Sequence, residues 1–150
     1  MKVNVTGYGV ISSIGVGGKE SLSALKDGIS GIRKGGNDIT KDYNVGSIEL
    51  SDSELKEKFN LNTDGSRTAL LGMIAAKQAF KGHRIQDNIR TGLISGTSVG
   101  GMDISEIEYK KYLENDGHDP KRYKHHSSGT TTREIASEIG ISDFINTIST

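Results

Sequence analysis

The residues best placed to do chemistry form a run of small side chains, Gly96-Thr97-Ser98-Val99-Gly100-Gly101, directly after the strand-like stretch Arg90 to Ser95. A strand that opens into glycines and then starts a helix lies where open α/β sheets place ligands, because the exposed backbone and absent side chains leave room for a bound molecule. The alternative is a glycine-rich βα connection that holds no ligand, and the residues alone leave both readings standing. Zero cysteines exclude a thiolate nucleophile, a thiolate metal site and a disulfide framework within these residues.

Other chemical signals are weaker. Gly7-Tyr8-Gly9-Val10-Ile11-Ser12 follows a strand pattern and invites a dinucleotide reading, but Ser12 stands where the third glycine belongs and no helix opens from the turn. A tight strand-to-loop turn is preferred. Gly18-Lys19-Glu20-Ser21 is rejected as a phosphate loop, since Glu20 occupies the place of the magnesium-binding hydroxyl. His118, His125 and His126 cluster on a polar stretch without further ligands at metal-binding spacing, so they are read as solvent-facing, and His83 likewise.

The chain must supply elements to carry these residues. Its 150 residues, 33% hydrophobic and 25% charged, suit one globular domain spanning 1–150. A formal net charge of +0 gives no electrostatic footprint for nucleic acid or an anionic membrane. No run approaches the roughly 20 apolar residues of a membrane span, and the N-terminus shows no signal core, so a cytoplasmic location is expected.

The patterning predicts an opening strand over Lys2 to Val10 and a helix over Lys19 to Asp27 with Leu22 and Leu25 on one side. A short strand over Tyr43 to Ile48 follows, then a small peripheral helix from the capping box Ser51/Glu54 to Phe59. Ala69, Leu70, Met73, Ile74, Ala76, Lys77 and Phe80 recur at helical spacing and Gly82 ends the run, which predicts a deeply buried helix. Asp103 is expected to cap a helix through Asn115, ended by Gly117. Residues 118–126 read as a loop and Ser127 or Ser128 as the cap of a last helix, which Gly140 closes before a final strand over Phe144 to Thr150. Alternating strands and helices argue for an α/β domain.

In this order, several segments resemble the N-terminal half of a β-ketoacyl-acyl carrier protein synthase, a condensing enzyme with the thiolase-like fold. They are Val5 to Gly15, Asp27-Gly28-Ile29-Ser30-Gly31-Ile32, Ser66-Arg67, Gly96 to Gly101, and Asn146 to Thr150. The resemblance implies a mixed β-sheet with flanking helices, truncated before the nucleophile: a cysteine expected two residues after Thr150. It implies no catalytic residue within this chain and no role for its four histidines in the family's histidine chemistry.

For the intact protein the resemblance implies decarboxylative Claisen condensation of an acyl thioester with malonyl-acyl carrier protein. No metal or other cofactor is expected, since the substrates ride on the carrier's phosphopantetheine. Substrate-binding residues would be Gly96, Thr97, Val99 and Gly100, with Val99 abutting the acyl chain. Partners would be acyl carrier protein and a second copy, paired through the strand Asn146 to Thr150. Apolar surface should be exposed where the rest of such a fold packs. The chain departs from the family pattern at Arg122 to His126, at Arg133-Glu134 and at Asp143-Phe144. Alternatives are a non-catalytic chain-length-factor-like subunit, a related activity using coenzyme A, and a self-contained α/β domain binding a small ligand.

Overall fold

The computed structural model describes residues 2–36, 40–83, 85 and 88–149. Helix α3 (Arg67–Phe80) is the centre of the molecule, and its face Ala69, Leu70, Met73 and Ile74 is buried, as the helical spacing predicts. Leu55, Leu61 and Ile135 close the core cluster around it. A side chain of this size stabilises by about 1.5–3 kcal/mol when fully buried. Leu55 lies on α2 (Asp52–Phe59), whose Ser51/Glu54 capping box is formed. Leu55 is fully buried, so α2 is an integral wall of the core and not the peripheral element expected.

Residues 2–10 form no strand. From Gly7 to Val10 the chain lies along α3, and the close approach explains the two glycines. A Cβ on Gly7 would stand 2.1 Å from the Ala79 carbonyl oxygen, and one on Gly9 would stand 1.9 Å from that of Ala75, one helical turn away. Val10 N–H donates to Gln78 Oε1 at 3.0 Å and fixes the register. The glycine pair serves contact with a helix and not the tight strand-to-loop turn expected.

Strands pair two by two. β1 (Ile11–Ser12) and β2 (Gly15–Val16) form an antiparallel hairpin, as do β3 (Arg33–Lys34) and β4 (Asn44–Val45), while β5 (Gly92–Gly96) and β6 (Phe144–Ile148) run parallel with Gly92 opposite Phe144 and Gly96 opposite Ile148. Both pairing senses of a mixed α/β fold are therefore present, distributed over separate ladders. Between the hairpins, α1 (Gly18–Lys26) buries Ser21 and Ala24 and leaves Leu22 and Leu25 exposed, the reverse of the expected face.

The β5/β6 ladder alternates. Leu93 faces the core, whereas Ile94, Phe144 and Ile148 are exposed. Parallel strands are ordinarily covered on both faces. The uncovered face here matches the expectation of exposed apolar surface, and Val3 and Val5 add to it. Among the described residues β5 is the one strand paired with β6. Thr150, the last residue of the expected strand, lies outside the described residues.

Two further elements differ from expectation. Helix α4 (Met102–Glu114) follows Gly101, and its end is set by Asn115 in the left-handed conformation at φ 55°, not by Gly117. Pro120–His126 form a 3₁₀ helix, not a loop, and lead into α5 (Ser128–Glu138), whose Ile135 and Ala136 pack inward. Ser127 precedes α5 but makes no side-chain capping bond.

Candidate functional site

The carboxyl ends of the parallel pair β5/β6 carry the turn Gly96 to Gly101. Thr97 N–H donates to the Ile148 carbonyl at 3.1 Å, which carries the pairing one step past the strand. Thr97 Oγ1 then accepts from Val99 N at 3.3 Å and Gly100 N at 3.1 Å, closing the turn on itself. Gly100 adopts φ +53°, a region that suits glycine. A Cβ on Gly101 would lie 1.9 Å from the His125 carbonyl oxygen, so the turn packs backbone to backbone against the end of the 3₁₀ helix.

The four residues expected to bind substrate thus share one turn but differ in what they present. Gly96 has open space around its Cα and Val99 is half exposed, so these two face outward. Gly100 is buried against the junction of the 3₁₀ helix and α5, and the Thr97 hydroxyl is used within the turn.

A line of hydroxyls beside this turn escaped the sequence reading. Thr147 Oγ1 donates to Thr132 Oγ1 at 2.7 Å, and Thr132 Oγ1 in turn donates to the Ser128 carbonyl at 3.2 Å. Ser128 Oγ and Ser149 Oγ stand 3.5 Å apart. These bonds fasten β6 to the start of α5. The alternation of small polar residues in Asn146 to Thr150 was the available signal, but it does not say which hydroxyls meet.

The turn is held from below by Ser66-Arg67. Ser66 Oγ caps α3 by accepting from Ala69 N at 3.2 Å, and Arg67 N–H donates to Asp103 Oδ2 at 2.9 Å. Asp103 therefore caps α3 and not its own helix. Arg67 Nη2 donates to the Ile48 and Leu50 carbonyls, each at 2.8 Å, and its Nη1 pairs with Asp52. One arginine so joins the segment before α2 to the centre of the fold.

Two of the segments that depart from the family pattern meet, and the other departing residues bond to neighbouring elements. His125 Nδ1 lies 2.6 Å from Glu134 Oε1, with His125 buried. Arg122 Nη1 donates to Glu108 Oε1 at 2.7 Å, where Lys111 also reaches it at 3.3 Å. Asp119 N–H donates to Glu108 Oε2 at 2.7 Å. The Asp119 backbone bond, opposed by burial and aided by Arg122 and Lys111, holds this carboxyl below the ordinary carboxylate range. Asp143 Oδ2 accepts from Thr91 N at 2.9 Å and anchors the opposite end of the β5/β6 ladder.

The histidines are dispersed. His126 Nδ1 meets Ser105 Oγ at 2.9 Å, His118 packs edge-on against Tyr112, and His83 Nε2 lies 3.3 Å from the Thr6 carbonyl oxygen. Among the described residues no group of three potential ligands could hold a metal ion. No helix among them is long and apolar enough to cross a membrane.

This arrangement has the thiolase-like fold. The chain superposes on the ishigamide ketosynthase/chain length factor with a TM-score of 0.77 over 97% of its own length and 43% of that chain, at 17% identity. In sequence it is 30% identical over 109 residues to 3-oxoacyl-acyl-carrier-protein synthase 1 of Buchnera aphidicola subsp. Schizaphis graminum (strain Sg), a match covering 66% of this chain and 26% of that protein. No protein-family model matches. The resemblance read from the motifs holds in sequence and in fold, and the chain is β-ketoacyl-synthase-like while spanning less than half of either relative.

Proposed function

We propose that this chain is the pocket-forming, N-terminal part of a β-ketoacyl-acyl carrier protein synthase. The intact protein condenses an acyl thioester with malonyl-acyl carrier protein by decarboxylation, and this part is inactive alone. The observation that carries the reading is the Gly96 to Gly101 turn at the carboxyl ends of a parallel strand pair, outside which α/β folds bind ligands. The half-exposed Val99 limits the acyl chain, and Gly96, Thr97 and Gly100 shape the backbone around it. The nucleophile is a cysteine two residues past Thr150 in the natural reading frame. No metal or other cofactor takes part, acyl carrier protein delivers the substrates in the cytoplasm, and the edge of β6 that no strand covers among the described residues pairs with a second copy.

The test uses a polypeptide extended along the natural gene, assayed with malonyl-acyl carrier protein and acyl primers of graded length. Activity that Val99→Phe shifts to shorter primers and Val99→Ala to longer ones is the expected outcome. Absence of a cysteine at the second added position would remove the synthase reading. Glutamine there would favour a chain-length-factor-like subunit, a reading supported by the likeness to a ketosynthase/chain length factor structure.

A further inference from the structure

His125 and Glu134 both stand where the chain departs from the family pattern, and the fold hides the bond between them. Their side chains are 7% and 19% exposed, with Nδ1 2.6 Å from Oε1. A carboxylate has no proton to give, so Nδ1 carries the hydrogen of the bond. The bond ties the last turn of the 3₁₀ helix to the middle of α5.

Each partner also touches the frame of the Gly96 to Gly101 turn. A Cβ on Gly65 would stand 2.3 Å from Glu134 Oε2, so the carboxylate takes the space of a side chain there, and Gly65 precedes the Ser66 that caps α3. A Cβ on Gly101 would stand 1.9 Å from the His125 carbonyl oxygen and 3.3 Å from Ser66 Cβ. Gly101 N–H donates to the His126 carbonyl at 3.1 Å. Gly65, Ser66, Gly101 and His125 are all buried, and the contacts close a ring through Glu134. Val99 lies two residues before Gly101, and its carbonyl accepts from Met102 N at 3.2 Å. The apolar side chain of the turn is therefore carried on backbone that this ring anchors.

We propose that His125 and Glu134 are positioning residues for substrate specificity: by tying the 3₁₀ helix to α5 they fix Gly101, and so where Val99 stands. The inference rests on the acyl-pocket reading of that turn, and the pair acts through the turn without touching substrate. Amide hydrogen exchange on the 150-residue chain reads the positioning itself. Glu134→Ala should speed exchange of the Gly101 N–H about tenfold or more, and leave the Ile74 N–H in the middle of α3 within about twofold, because the lost bond loosens one region only. Glu134→Gln keeps the acceptor and should keep Gly101 protected. Gly65→Ala, whose methyl group displaces the carboxylate, should reproduce Glu134→Ala while altering neither partner, and supplies the comparison where Glu134→Ala does not fold. In a polypeptide extended along the natural gene, Glu134→Ala should flatten the dependence of kcat/KM on primer length, and Glu134→Gln should preserve it. Unchanged exchange at Gly101 in a folded variant that lacks the bond, or equal acceleration at Ile74, overturns the positioning role whatever the activity. The expected exchange pattern with an unaltered primer preference overturns the link to specificity. The same pattern in an extended polypeptide that condenses no primer overturns the synthase reading instead.

Discussion

Asp103, in the first turn of α4, accepts the backbone N–H of Arg67 at 2.9 Å, so the carboxylate of one helix closes the N-terminus of another. That N–H is one of the donors a helix leaves unpaired at its start. Asp103→Ala should therefore lower unfolding free energy by about 1–2 kcal/mol, as loss of an N-terminal cap does. Asp103→Asn keeps the acceptor and loses only the charge next to the helix dipole, about 0.3–1 kcal/mol. Urea titrations that rank the two variants equally would contradict the role.

Two glycines of one turn should respond oppositely. At Gly101 a methyl group would lie 1.9 Å from the His125 carbonyl oxygen, which the backbone cannot yield cheaply, whereas at Gly96 nothing lies within 4 Å. Gly101→Ala should cost about 1–3 kcal/mol or more through forced backbone displacement. Gly96→Ala should leave stability within about 0.5 kcal/mol, as surface changes usually do. Thermal unfolding of both variants distinguishes them.

Glu108 links stability to pH. Its carboxyl titrates below the ordinary value when folded, so folding favours the ionised form. That contribution is fully present above the unfolded pKa of about 4.3 and is lost as pH falls through the lower folded value. The difference in urea midpoint between the native chain and Glu108→Gln should therefore shrink as pH is lowered from 7 toward 3. A difference that stays constant would mean that the carboxylate charge is not what holds Asp119 and Arg122.

The uncovered face of β5/β6 should make the chain associate. Ile94, Phe144 and Ile148 are all more than half exposed on it. Light scattering should give an apparent mass that rises with concentration, and Phe144→Ser should bring it back toward 16.1 kDa. A native chain that stays monomeric at high concentration would remove this expectation.

Much of the fold was legible because some signals are local. The spacing of Leu70, Met73 and Ile74 and the Ser51/Glu54 box depend on residues three or four apart, and both elements form where expected. Gly7 and Gly9 were read as a tight turn and not as an approach to α3, since Ala75 and Ala79 lie far along the chain. The strand expected over Lys2 to Val10 failed for a related reason. Alternating valines favour a strand only when another strand pairs with them, and here Val3 and Val5 are exposed with no strand partner among the described residues.

What the sequence determined by itself was the order of the five α-helices, the turn at Gly96 to Gly101 and the resemblance those motifs carry, because each is written in contiguous residues. Which groups meet was decided only by the tertiary structure. Asp103 serves α3 and not α4, His125 finds Glu134, and Thr147 finds Thr132, because hydrogen bonds are set by distance in space and buried polar groups must find partners wherever the packing brings them.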